Sequence, residues 1–217
     1  MPNRVAWLDG EWPTSIVPER QPILFVVAGP SGAGKDTILG LLKAHDLHLH
    51  YVITMTTRPP RATERDGVHY HFVDEARFCS IRESGGFLEW AVVHGYHYGS
   101  PLAEVTEALA RGEDVLVKPD VQGAASIRRR VPQAVLIYVA PGNEAELTAR
   151  LLSRNSETSE SYAARMSGMA HELEVGVHFD YVVVNRDGHV NQAVEDLRSI
   201  ITAERLRMRP RICQVAK

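Results

Sequence analysis

The stretch that most constrains this chain is Ala28-Gly29-Pro30-Ser31-Gly32-Ala33-Gly34-Lys35-Asp36-Thr37. An unbroken apolar run at 23–27 precedes it and predicts a buried parallel strand. Residues 38–43 follow and predict a helix reaching about residue 44. Strand, glycine-rich loop and helix in that order form a P-loop. Its glycines let successive N–H groups wrap a phosphate, the helix N-terminus adds partial positive charge, and Lys35 reaches the β- and γ-phosphates. A glycine-rich turn without a ligand is the plainer reading, and the flanking elements weigh against it. One position departs from the pattern. A hydroxyl that binds Mg²⁺ normally follows the lysine; here Asp36 stands there, with Thr37 next to it. Aspartate is itself a hard oxygen ligand, so Asp36 is a candidate metal ligand.

Composition narrows what such a loop can serve. The chain has 217 residues, 44% hydrophobic and 24% charged, which suits one soluble core with small inserted lobes. A net charge of -3 supplies no basic field, so nucleic acid and acidic membranes are not expected partners. Cys79 and Cys213 are far apart and form no metal or redox motif. No apolar run reaches membrane-spanning length, and residues 1–10 lack the apolar core of a signal peptide. The expected location is the cytoplasm.

Further apolar runs predict strands at 51–53, 87–93, 114–117, 134–139 and 181–184. Helices are predicted at 75–84, 102–111, 124–130, 144–154, 163–174 and 192–205, and a turn at 96–99. Buried strands alternate with helices, so the fold class is α/β with a parallel sheet. Residues 1–20 read as an extension, and residues 207–217, basic and proline-containing, as a frayed tail. Between residues 54 and 101 long apolar runs are few, and charge, aromatics, histidine and glycine concentrate there.

Within that region lie Thr56-Thr57-Arg58 with Arg61, Asp66-Gly67, Tyr70-His71-Phe72, Phe87-Leu88-Glu89, and Gly95 with Tyr98-Gly99-Ser100. Asp120-Val121-Gln122-Gly123 and Val184-Asn185 follow in order. Together with the loop, these motifs resemble the guanylate kinase family over roughly residues 22–206. The resemblance implies a P-loop NTPase-type parallel-sheet core flanked by helices (21–52, 101–142 and 170–206). It also implies an inserted NMP-binding lobe at 53–100 and a LID at 143–169. It implies transfer of the γ-phosphate of ATP to GMP or dGMP, with Mg²⁺ as cofactor, by a monomer or homodimer.

Residue by residue, the resemblance assigns ATP to Gly29, Pro30, Ser31, Gly32, Ala33, Gly34, Lys35, Asp36, Thr37, Arg150 and Asn185. Thr54, Arg58, Arg61, Tyr70, Glu89, Tyr98 and Ser100 are the expected GMP ligands, and Lys35, Arg154 and Arg165 the expected catalytic residues. Asp36 and Asp120 are the candidate Mg²⁺ ligands. The chemistry agrees. Guanine offers N1–H and its amino group as donors, and one carboxylate, Glu89, accepts from both. Adenine N1 would instead oppose that carboxylate with a lone pair. Arginine forks suit phosphate oxygens. Mobile arginines in the LID suit the charge on a transferring phosphoryl group. The bland alternatives are a solvated charge at Glu89, core packing for the tyrosines, and a salt-bridged helix face for the arginines.

A second departure is Lys118, where the family often has an acidic residue. Lys118 can touch a phosphate or pair with Asp36 or Glu89, which suggests a charge exchange around the metal. The histidines show no ligand spacing within one predicted helix, so zinc is not expected. Two other functions stay open: a P-loop kinase of another acceptor such as ribose 1,5-bisphosphate, whose kinases the Gly34-Lys35-Asp36-Thr37 ending also resembles, and a non-catalytic binding module.

Overall fold

The computed structural model describes residues 19–215 except 46, 94 and 153–175, and the side chains at 151 and 152. In chain order the elements are β1 (Leu24–Ala28), α1 (Lys35–Lys43), β2 (Leu49–Tyr51), β3 (Met55–Thr56), β4 (His71–Phe72), α2 (Glu75–Glu83), β5 (Phe87–Val93), β6 (Tyr96–Pro101), α3 (Leu102–Ala110), β7 (Asp114–Val117), α4 (Val121–Arg130), β8 (Val135–Pro141), α5 (Glu144–Leu152), β9 (Tyr181–Asn185) and α6 (Val190–Arg205).

Five strands pair in the order β2-β7-β1-β8-β9, all parallel. β1 is central and fully buried, as its unbroken apolar sequence requires. Alternate residues of β1 point to opposite faces. Phe25 and Val27 pack with Ile38 and Leu42 of α1 and Leu197 and Ile201 of α6. Leu24, Val26 and Ala28 pack with Val105 of α3 and Ala124 and Ile127 of α4. The result is a sheet covered by helices on both sides, with the loop after β1 emerging at its C-terminal edge.

Residues 55–101 form a second sheet, ordered β4-β3-β6-β5 and largely antiparallel. Its small core is Met55, Phe78 and Phe87, with Phe78 and Phe87 stacked 4.5 Å apart. Two guanidinium and amide bonds tie it to the main core. Arg130 of α4 donates to the Phe87 carbonyl at 2.6 Å, and Leu102 N–H donates to the Gly86 carbonyl at 2.8 Å.

The structure corrects three local expectations. The turn read at 96–99 is strand β6, paired along its length with β5. Gly99, taken as a turn glycine, is a packing site: a Cβ there would stand 2.7 Å from the ring of Phe87. The strand at 51–53 is β2, two residues earlier, set by its pairing with β7. The segment 207–215, read as frayed, is docked. Arg211 donates to buried Glu204 at 2.8 and 3.1 Å, and Cys213 and Val215 pack against the core. The helix expected at 163–174 lies outside the described residues.

Candidate active site

The loop residues 28–34 connect β1 to α1, whose N-terminus is open to a ligand. Gly34 caps α1 with φ +88, a left-handed conformation that favours glycine, and a Cβ there would also overlap the Asn185 amide. Asn185, 5% exposed, donates to the Ala33 carbonyl at 2.8 Å. Where the resemblance suggests a contact near adenine, the structure commits this amide to the loop backbone: β9 ends beside the loop, and a buried amide there needs a partner. Lys35 donates to the carbonyls of Gly29 at 2.6 Å and Pro30 at 3.0 Å, so its ammonium lies within the loop. Ser31, Asp36 and Thr37 are exposed around it, while Ala33 is buried.

The expected acceptor residues gather on the second sheet and the loop between β3 and β4. Arg58 donates to both oxygens of Glu64 at 2.9 Å and through Nε to the Tyr98 hydroxyl at 3.2 Å. Its guanidinium lies 5.5 Å from the Tyr70 ring centroid, and Tyr70 meets Tyr98 edge-on at 6.1 Å. Glu64 also accepts from the Arg61 N–H at 2.8 Å. Burial pushes the Glu64 carboxyl up, but the Arg61 N–H and the Arg58 guanidinium outweigh it and hold it below its ordinary range. Glu64 therefore positions the arginine pair, a role the sequence motif did not reveal.

Glu89 is the buried anion of the site, 6% exposed on β5. It accepts from the Ser100 hydroxyl at 2.7 Å, with Thr54 also buried. Burial pushes its pKa up to about 7; the Ser100 hydroxyl pulls the other way, and the charge of Asp120 adds to the rise. Glu89 reaches toward α4, where Gly123 leaves it room: a Cβ at Gly123 would stand 2.5 Å from Glu89 Oε2. Asp120 caps α4 by accepting from the Gly123 N–H at 2.7 Å, and burial raises its pKa against the pull of that N–H and of Lys35.

Of the two sequence departures, each turns out to be the other's partner. The Lys118 ammonium forms an ion pair with Asp36 and lies 3.5 Å from the Tyr70 hydroxyl. Burial opposes charge on Lys118, but Asp36 and Tyr70 outweigh it, so its pKa stands above the ordinary lysine value. Asp36, Thr37 and Asp120 supply hard oxygen donors. Among the described residues no group of three or more His, Cys, Asp and Glu forms a cage. Mg²⁺ asks for no cage; it uses one or two carboxylates and fills its remaining positions with water and phosphate. The donor set fits an ion that arrives with its nucleotide.

Arg150 of α5 points back to the core, donating through Nε to Asp187 at 2.8 Å and through Nη2 to the Asn185 carbonyl at 2.9 Å. Arg154 and Arg165 lie outside the described residues.

A loop opening a helix at the edge of a parallel sheet, set against a lobe of arginines and a buried carboxylate, defines a P-loop kinase with two phosphate-bearing substrates. Comparison with known proteins narrows this class. The family model described as guanylate kinase matches residues 20–204. A guanylate kinase of Sphingopyxis alaskensis is 43% identical, over 89% of this chain and 87% of its own length. One from Myxococcus xanthus is 45% identical, over 85% of this chain and 88% of its own length. The crystal structure of guanylate kinase from Anaplasma phagocytophilum superposes with a TM-score of 0.72 at 24% identity, covering 87% of this chain and 89% of that one, which speaks to the fold. The chain belongs to the guanylate kinase family.

Proposed function

We propose that the protein transfers the γ-phosphoryl group of Mg-ATP to GMP, and to dGMP, giving ADP and GDP. The observation that carries this reading is the buried Glu89–Ser100 pair on the same sheet as the Arg58, Tyr70 and Tyr98 cluster. A carboxylate removed from water needs donors that match it, and the Watson–Crick edge of guanine supplies two. Burial raises the Glu89 pKa to about 7, so its carboxylate form lacks the donors that water would supply, and the guanine N1–H and amino group replace them.

The chemistry needs no protein nucleophile. A phosphate oxygen of GMP forms a bond to the γ-phosphorus while the bond to the β-phosphate oxygen breaks, and ADP leaves. Catalysis is then orientation and charge stabilisation. In this reading Lys35 and the N–H groups of Gly29 and residues 31–37 hold the ATP phosphates, while Asn185 and Arg150 steady the loop's surroundings. Arg58, Arg61, Tyr70 and Tyr98 hold the GMP phosphate, and Glu89, Ser100 and Thr54 read the base. Asp36 and Asp120 are the residues that would hold Mg²⁺, which when bound shields the charge of the ATP phosphates. Segment 143–169, with Arg154 and Arg165, completes the ATP side as a LID, in a cytoplasmic enzyme.

The test is ADP release from Mg-ATP with GMP, dGMP, AMP, UMP and ribose 1,5-bisphosphate offered in turn. GMP and dGMP are expected to exceed the others by about 10³-fold or more in kcat/KM. A preference for another acceptor would overturn the proposal, and turnover with none would favour a binding module.

A further inference from the structure

Lys35 belongs to the P-loop, and Arg58 and Arg61 to the lobe. Lys118 belongs to neither and touches both. It follows Val117, the last residue of β7, whose register partner on β1 is Val26, two residues before that strand ends at Ala28. The sheet thus delivers Lys118 to the edge where ligands of parallel α/β folds bind. Its ammonium pairs with Asp36 in the first turn of α1. It also lies 3.5 Å from the Tyr70 hydroxyl and 5.4 Å from the centroid of that ring. Arg58 lies 5.5 Å from the same centroid. Tyr70 therefore has a cation from the core and a cation from the lobe around it.

The exposures of the pair are unequal. The Lys118 side chain is 22% exposed and that of Asp36 73%. An ion pair with one partner largely in water contributes little net stability and yields readily to a stronger anion. A phosphate dianion is such an anion, and lysine binds it as a point charge.

Resting on the GMP kinase reading above, we propose that Lys118 is a phosphate ligand shared between the two halves of the site. Asp36 holds its ammonium in the nucleotide-free protein, and the acceptor phosphate bound beside Tyr70 takes it over. The exchange takes the Lys118 ammonium away from the Asp36 carboxylate on the ATP side, whose oxygens are candidate Mg²⁺ donors. Acceptor binding thereby prepares the nucleotide half, through one side chain and without a change of fold.

The test is calorimetric titration with GMP and with guanosine, in the absence of ATP and Mg²⁺. Lys118→Met keeps an unbranched stem and removes the charge. It should weaken GMP binding about tenfold or more, the worth of a hydrogen bond to a charged group. Guanosine, which has no phosphate, should bind within about twofold of wild type, and Lys118→Arg should recover most of the GMP loss. Asp36→Asn releases the ammonium beforehand and should tighten GMP binding about threefold, an effect absent in the Lys118→Met background. Lys118→Gln repeats the test should the methionine variant fail to fold. Unchanged GMP affinity in these variants, or equal losses for GMP and guanosine, overturns the proposal. So does a tightening by Asp36→Asn that persists without Lys118. A wild-type protein that binds no GMP would instead sink the functional reading beneath it.

Discussion

Gly123 is the third residue of α4, where helix propensity alone favours alanine by about 1 kcal/mol. The site opposes that preference. A methyl group there would stand 2.5 Å from Glu89 Oε2, 2.9 Å from Pro119 Cβ and 3.0 Å from Asp120 Oδ1. The proline ring is rigid, and the Asp120 carboxylate is fixed by the Gly123 N–H itself. Glu89 must therefore move, and the start of α4 must also shift off Pro119 by a few tenths of an ångström. Glu89 is 6% exposed and held by Ser100 at 2.7 Å, so moving strains or breaks that bond. Overpacking of this kind costs about 1–3 kcal/mol, which the propensity gain offsets by about 1. Net destabilisation should be small, a fall in Tm of no more than about 8 °C. Function should suffer far more, because a reading group misplaced by about 1 Å costs up to about 100-fold in kcat/KM. Initial rates at varied GMP and varied ATP, with a thermal melt, test Gly123→Ala directly. The expected result is a kcat/KM for GMP reduced about 10- to 100-fold and a KM for ATP within about twofold. A variant more stable than wild type that phosphorylates GMP at the parental rate would refute the reasoning.

Other consequences follow from the same contacts. Because Glu89 must be ionised to accept from guanine and its pKa lies at about 7, guanosine affinity should fall as pH drops below that value. Its raised pKa also means that Glu89 favours the folded state below its ordinary 4.5 and loses that contribution as pH rises through about 7. Glu89→Gln should therefore melt above wild type at pH 8, by up to about 3 kcal/mol of stability, with the gap narrowing on acidification. Asn185→Ala leaves the buried Ala33 carbonyl unpaired at a cost of about 1–3 kcal/mol, and steady-state kinetics should show KM for ATP rising more than KM for GMP. Arg211→Ala strips a partner from the fully buried Glu204 side chain and should cost about 3 kcal/mol in denaturant unfolding with kcat unchanged. Burial pushes the Glu204 carboxyl up, but Arg211 and Tyr181 outweigh it and hold it low. That stability should be lost as acid titrates it below its ordinary 4.5.

The P-loop and the central sheet were legible because a strand buried on both faces must be continuously apolar, as 23–27 is, and because a phosphate loop needs glycine at fixed spacing. The lobe was harder to read. Its strands β3 and β4 have two residues each, too short for any periodicity, and β6 hides a glycine that serves packing against Phe87. The arginine pair was visible as a motif, but its positioning by Glu64 depends on a loop closing back on itself. Lys118 and Asp36 were each visible as a departure, eighty-two residues apart in sequence. Their pairing was one of the options the sequence offered for Lys118, and the choice of Asp36 over Glu89 depends on β7 lying beside β1, a tertiary fact. The docked tail was misread because its partner, Glu204, is a charge that composition assigns to the surface.

The central claim is that this site recognises the acceptor as a guanine nucleotide through the Glu89 carboxylate. The most direct measurement is the ratio of kcat/KM for GMP to that for AMP, in wild type and in Glu89→Gln, with Mg-ATP as donor. Wild type should favour GMP by about 10⁴-fold, because adenine leaves the buried acceptor unmatched. In Glu89→Gln an amide N–H opposes a guanine donor, so the ratio should collapse by about 100-fold or more through loss of GMP turnover alone. A Glu89→Gln variant that keeps the wild-type ratio would contradict the account.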